Sequence, residues 1–430
     1  MIPALRALEA RALARWLPAI VSFFVLAADG ISGGAYLPRA WRLTTFAFLA
    51  LAAAALIGRP RIALAPVERW VLAALAALAV WAAVSSQWSL HPGTSLLEGE
   101  RDVVYLAAMA AVLLSVDRAA LPQLLAGALA GVTVICGYGL GTHIFFGHGP
   151  VPIQGNLLFE PLGYANGLGI YAAIGLLLAA GLWVATPWRI ARVACSACGA
   201  ILVPTLYLTS SRAAMVALAA GLVVLLAFAP GIPRPLLFVA AAAAVGLVIG
   251  VMLMHQASEQ SLVEQLIGQN RPHYWHVAWR EFTANPVLGS GAGTFDEFWL
   301  DWRTVDSYAR DAHTLYLETL AELGVVGLAL LLSALLPPLF ALRRGRDPLR
   351  ATAAAGYVAY LIHAGVDWDW ELPAVTIAGL LCGAALLVDG RRDAPEISGR
   401  TRALLLVPIV VLAVVALMRL QSGPRLPFAP

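Results

Sequence analysis

The sequence contains no lysine: all 28 of its basic residues are arginine. Any anion held by a side chain is therefore held by Arg or His, and Arg offers a planar, permanently charged fork suited to phosphate. Charge of either sign is scarce. Only 12% of the 430 residues are charged, about half the share of a soluble domain. That scarcity excludes a water-soluble enzyme and a disordered chain. Cysteine is scarce too. Cys136, Cys195, Cys198 and Cys382 all lie in apolar stretches, so no disulfide framework is expected. Cys195 and Cys198 have redox or metal spacing, but their flanks, VACSACGA, read as a buried helix with small packing residues. The net charge of +3 gives no reason to expect nucleic acid as a partner.

What the sequence has instead is apolar length, with 60% of residues hydrophobic. A membrane crossing needs about 20 apolar residues. Candidate spans fall near 16–28, 41–57, 69–86, 103–116, 121–146, 164–185, 189–209, 212–229, 235–254, 315–341, 350–366, 372–388 and 403–419. The expected fold is an all-α polytopic membrane protein of about 12–13 transmembrane helices. With the N-terminus in the cytoplasm and strict alternation, 18 of the 28 Arg fall on the inner side. They crowd into the loops GRPRIALAPVER, RRGRDPLR and GRRDAPEISGRTR, the positive-inside pattern.

The same alternation leaves one long segment, 255–314, on the outer, periplasmic side. The expected organisation is a single membrane domain. It has an N-terminal bundle of about nine helices over 1–254, the periplasmic loop over 255–314, and three to four C-terminal helices over 315–430. The loop carries eight acids against four Arg, so only specific Arg residues there can hold an anion. Its run HYWHVAWREF (273–282) has apolar residues at helical spacing, which predicts a short amphipathic helix at the interface. Trp275, Trp279, Trp299 and Trp302 are expected as interface anchors.

Arg212 is the most informative residue. It sits in TSSRAAMVALAA between two apolar spans, with almost no loop to carry it into water. A cation in such a place is costly and marks a functional site. Ser210 and Ser211 precede it as hydrogen-bond donors. His313 opens HTLYLETLAELGVVGL, where Tyr316, Leu317 and Leu320 follow at helical spacing. A His at the start of a re-entering helix can move a proton near neutral pH. Asp311, Tyr316 and Arg280 are nearby candidates for support, although Asp311, two positions away, would point elsewhere on a helix. His273 and His276 have metal-ligand spacing without a third ligand. Asp367 and Asp369 form an Asp-x-Asp pair of the kind that holds Mg²⁺ with a diphosphate. Two carboxylates alone make a poor magnesium cage, and the pair reads equally as surface acids at a helix end. No metal and no cofactor are expected.

The His313-Thr314 pair, followed after nine residues by Gly324-Val325-Val326-Gly327, resembles the signature of the O-antigen ligase and polymerase superfamily. Family members prefer Asn, Ser or Gln where this chain has Thr314. The Arg-led helix at Arg212 resembles a second family pattern, with Val216 where members have Leu. RPHYWHVAWREFTANPVLGSGAGTF resembles the family's outer loop and puts Arg271 in its second Arg position. PLGYANGLG (161–169) and DWDWELPAVT (367–376) are also similar to family segments. The likeness covers about 155–388; the usual core of twelve spans makes a thirteenth a departure.

The resemblance implies a bacterial inner-membrane glycosyltransferase, working on the periplasmic face without metal. Its donor would be an undecaprenyl-diphosphate-linked glycan and its acceptor a hydroxyl of a glycolipid or glycan, with membrane lipids around both. Arg212 and Arg271 would clamp the diphosphate, His313 would act as base, and the transfer would invert the anomeric centre. Within the superfamily, a protein O-oligosaccharyltransferase remains an alternative. Outside it stand a polysaccharide or lipid transporter or flippase and, more distantly, the peptidoglycan polymerases that share the donor lipid.

Overall fold

The computed structural model describes residues 2–147, 154–230, 270–391 and 394–420, with side chains from residue 15 onward. The expected span at 235–254 lies outside these. The described residues form fourteen α-helices. They are α1 (Ile2–Ile31), α2 (Pro38–Gly58), α3 (Pro66–Val84), α4 (Pro92–Ser115), α5 (Leu121–Phe145), α6 (Ala165–Ala185), α7 (Arg189–Thr209) and α8 (Arg212–Phe228). After the long loop's α9 (Arg271–Ala284) and α10 (Phe295–Trp302) come α11 (Leu315–Leu335), α12 (Pro348–Ala364), α13 (Pro373–Asp389) and α14 (Gly399–Met418). Each expected span in the described residues coincides with a helix. Seven of these helices are long and apolar enough to cross a membrane, and α8 and α13 are shorter apolar helices.

The starts follow simple chemistry. Pro38, Pro66, Pro92, Pro348 and Pro373 stand at first helical positions, where the missing N–H costs nothing. Asp347 caps α12 by accepting from the N–H groups of Leu349 and Arg350, both at 3.0 Å. Pro337 and Pro338 end α11 before residue 341 by turning the chain into a 3₁₀ segment.

The apolar faces sort the helices. Every residue of α13 is buried, so it runs through the middle of the bundle. By contrast α14 buries only Ile409 and Ala416 and exposes Leu404, Val407, Val411 and Met418, as a lipid-facing helix would. It runs the full height of the bundle. Arg402 near its start donates to the Arg59 carbonyl at 2.6 Å, and Arg419 just past its end reaches Glu100 at 3.1 Å. Span 103–116 is the apolar part of α4, which begins eleven residues earlier. Its charged first half pairs across helices: Arg42 meets Glu100 at 2.9 Å, and Arg101 meets Glu371 at 2.5 Å. Periodicity could not foresee those partners.

The arginine-rich loops gather at one end of the bundle. There Arg350 pairs with Asp389 at 2.6 Å, Arg391 with Glu68 at 2.7 Å and Arg59 with Asp117 at 3.1 Å. At the opposite end, His91 meets Glu297 at 2.8 Å and Ser95 donates to the Ala292 carbonyl at 2.7 Å. The described part of the long loop lies at this second end.

That loop has a small hydrophobic core of its own. Tyr274, Val277, Phe295, Trp299 and Ala312 pack together there with Ala321 of α11. Trp299 corrects an expectation: it is fully buried rather than an interface anchor, and its indole N–H donates to the Ser307 carbonyl at 2.9 Å. Trp279 is exposed. Helix α9 is amphipathic as expected, but its buried face includes Glu281. Burial pushes that carboxyl up to about 8, with Ser290 donating to it at 2.5 Å.

The link from α9 to α10 lies against a kink in α11. Gly324 has φ 66°, which interrupts the helix. The link takes up the freed backbone groups. Val325 N donates to the Pro286 carbonyl at 3.0 Å, and Gly291 N to the Glu322 carbonyl at 2.8 Å. From the other side the Trp81 indole donates to the Leu323 carbonyl at 3.0 Å. Glu322 completes the junction by accepting from Gly293, Thr294 and Phe295 N–H groups at 2.8–3.0 Å. A Cβ on Gly324 would lie 2.1 Å from the Val287 carbonyl oxygen. Gly324→Ala is therefore expected to cost at least the roughly 1–3 kcal/mol of a strained backbone conformation, read as a lower melting temperature in detergent.

Candidate active site

Ser210 closes α7 in the left-handed region at φ 51°, and Ser211 caps α8 by accepting from Ala214 N at 3.3 Å. This tight turn sets Arg212 at the very start of α8, half-buried at the loop end of the bundle. Among the described residues Arg212 has neither a hydrogen-bond nor an ion-pair partner. The charge that acts on it is another cation, Arg271, which stands at the first position of α9. Two guanidinium groups thus repel one another across a short space, a repulsion that an anion between them would relieve.

Arg271 is held by Asp367, at 2.5 Å. Asp367 is fully buried and is the hub of the site. It also accepts from the Tyr164 hydroxyl and the Asn166 amide, both at 2.7 Å, and from the Trp368 N–H at 2.9 Å. Burial alone would raise its carboxyl. Arg271, with His363 and His313, outweighs that and holds it below the usual carboxylate range. Behind it His363 Nδ1 lies 3.0 Å from Asp369, both fully buried.

His313 sits just before α11 with φ 55°, a conformation rare outside glycine and found where structure over-determines it. Its Nδ1 lies 2.9 Å from the Asp311 carbonyl. A carbonyl only accepts, so Nδ1 carries the proton and Nε2 presents the lone pair. The imidazole packs against Tyr274, with ring centroids 4.9 Å apart. Burial holds His313 below its usual pKa; Asp367 opposes this and Arg271 adds to it.

Arg271 and His313 both act on Asp367, and Arg212 lies near enough to Arg271 to feel its charge. The proposed supporting side chains are engaged with other partners. Ser211 is occupied as a cap. Tyr316 donates to the Leu361 carbonyl at 2.8 Å. Arg280 lies over the Trp302 ring, 4.1 Å from its centroid. Asp311 meets His313 only through its carbonyl, and its carboxylate lines a different cavity. The acids of the Asp-x-Asp run are not surface acids: Asp367 and Asp369 are both fully buried and take Arg271 and His363 as partners. The roles of Asp367, Tyr164, Asn166 and His363 were missed in the sequence. The signal was there, as acids immediately before the most buried apolar helix.

Residues 197–332, which contain Arg212, Arg271 and His313, match the O-antigen ligase family model. Over that segment the chain is similar to the O-antigen ligase family. The exopolysaccharide production protein ExoQ of Rhizobium meliloti (strain 1021) is 25% identical over 302 residues, 63% of this chain and 66% of the relative. The chain thus spans just under two thirds of that relative's length. The family match and the long apolar helices support a multi-pass membrane protein. Asp367 and its Tyr164 and Asn166 donors fall outside the matched ligase segment, yet they hold one of the arginines inside it.

Proposed function

We propose that the protein is a metal-independent, inverting glycosyltransferase. It moves a glycan from an undecaprenyl-diphosphate-linked donor to an acceptor hydroxyl on the periplasmic face of the inner membrane. The observation that carries this reading is Arg212, without a hydrogen-bond or ion-pair partner among the described residues, beside Arg271 and at the same end of the bundle as His313. The donor brings a long apolar tail, a diphosphate at the membrane surface and a sugar beyond it. Its leaving group is already good. The protein need only hold the diphosphate, neutralise the charge growing on it and take one proton.

Arg212 and Arg271 bind the diphosphate through charge-assisted forks. His313 Nε2 accepts the proton of the acceptor hydroxyl. The acceptor oxygen attacks the anomeric carbon as the bond to the phosphate oxygen breaks. That oxygen leaves with the electron pair, steadied by the two guanidinium groups. Attack opposite the leaving group inverts the centre. The exopolysaccharide in the relative's name favours a glycan or glycolipid hydroxyl over a protein hydroxyl as acceptor. The charged groups lie at a bundle end rather than at mid-height, which favours catalysis over transport.

The test is transfer from a labelled undecaprenyl-diphosphate oligosaccharide by the purified protein in detergent. Arg212→Lys and Arg271→Lys keep the charge and lose the fork. Each is expected to lower kcat/KM by about tenfold or more, below the roughly 10²–10³ of removing a preorganised donor outright. Undiminished transfer in both variants would remove the diphosphate clamp.

A further inference from the structure

A second polar cluster lies apart from the donor site. A cavity of about 100 Å³ is enclosed between α3, α4, α11 and α13. Six carboxylates and two guanidinium groups line it, an excess of negative charge that burial makes costly. Asp311 precedes α11, Glu318 is in the first turn of α11, and Glu371 ends the 3₁₀ turn before α13. All three are buried, and each offers an oxygen within 4.8 Å of the other two.

Hydrogen bonding leaves this cluster incomplete. Glu371 Oε1 is bound by Arg101 at 2.5 Å, but its Oε2 is buried, faces no donor and belongs to a side chain that is 3% exposed and lines the cavity. Glu318 takes the Ala312 N–H on Oε2 at 2.5 Å. The Asp311 carboxylate, 8% exposed, takes no hydrogen bond from a described residue. The guanidinium groups are engaged nearby: Arg101 with Glu98 and Glu371, and Arg310 with the Tyr36 hydroxyl. A buried acceptor without a donor costs about 1–3 kcal/mol, and a buried charge costs more.

We propose that Asp311, Glu318 and Glu371 bind a hard divalent cation inside this cavity. An all-oxygen, all-carboxylate set selects hard cations. The three oxygens lie close enough together to share one ion. The cavity leaves room for waters to complete the coordination. Burial drives the Asp311 carboxyl well above its usual range, with Glu371 adding to that and Arg310 opposing it; a bound cation removes this penalty. The site is electrically distinct from the donor site. Glu371, Arg310 and Arg101 act on Asp311, whereas Asp367 and Arg271 act on His313. The two share only their backbone, since the segments 310–313 and 367–371 contribute residues to both. The cation would therefore hold in place the chain that presents His313 and Asp367.

The readout is binding rather than transfer, so it stands apart from the sugar-transfer reading. Trp370 lines the same cavity and serves as a sensitiser for terbium. The full chain, purified in detergent and stripped of metal, is titrated with Tb³⁺ and then with Ca²⁺, and melted with and without Ca²⁺. Saturable Trp-sensitised luminescence displaced by Ca²⁺ is expected, with a higher melting temperature in Ca²⁺. Glu318→Gln and Asp311→Asn should each weaken binding by about tenfold or more, while Asp301→Asn, at an exposed position of α10, should bind as the parent does. If Asp311→Asn fails to fold, the isosteric Glu318→Gln carries the comparison. Absence of saturable terbium binding in the parent chain, or unaltered binding in Glu318→Gln, overturns the site and leaves the carboxylates as proton carriers.

Discussion

His313→Ala is expected to keep donor binding and to slow transfer by about 10²–10⁴-fold, the usual contribution of a positioned proton-transfer group. The pH dependence gives an independent reading. Burial is the largest influence on His313, and it lowers the pKa from the usual 6.5. The working form is neutral, with Nδ1 donating to the Asp311 carbonyl and Nε2 free to accept. Activity is then lost as pH falls through the lowered pKa, so the acid limb of kcat/KM lies below pH 6.5. The residual activity of His313→Ala should lack that limb. A full-activity alanine variant, or an acid limb that survives the substitution, would remove His313 as the base.

Substitution of Asp367 is the second large effect. Asp367→Ala leaves Arg271, only 12% exposed, without its buried counter-ion. Removing one partner of a buried ion pair costs about 3–5 kcal/mol, which a detergent melt should show plainly. Asp367→Asn is the sharper probe, because it keeps the size and an acceptor oxygen. Asp367 is the strongest of the influences that raise the His313 pKa against burial. Neutralising it should move the acid limb further down the pH axis, as well as lowering kcat through a loosely held Arg271. A purely structural Asp367 would lower stability and leave the limb where it was.

The helices were legible because a membrane crossing is written in apolar length, which one sequence displays directly. Arg212 was legible for the same reason: a cation with no loop around it is conspicuous between two spans. His313 was legible from its place at the head of α11 and from a signature. Asp367 was not. An acid before a helix looks alike whether it faces water or an arginine 96 residues away in sequence, and the Asp-x-Asp spacing suggested a metal or the surface instead. Trp299 failed similarly. Its burial depends on Tyr274 arriving from α9. Glu98, Glu318 and Glu371 were invisible as a group, since they come from three separate helical segments and meet only when the bundle closes.

The Gly324 kink has a bearing on how substrates reach Arg212. The 285–291 segment is knitted into the backbone of α11 at the break, and Trp81 ties the same stretch to α3, so this part of the loop is fastened to the bundle. A flap that lifts off on a hinge would have to tear that seam. For the lipid-linked donor proposed above, this seam favours sideways entry from the surrounding lipid over a cap that opens overhead.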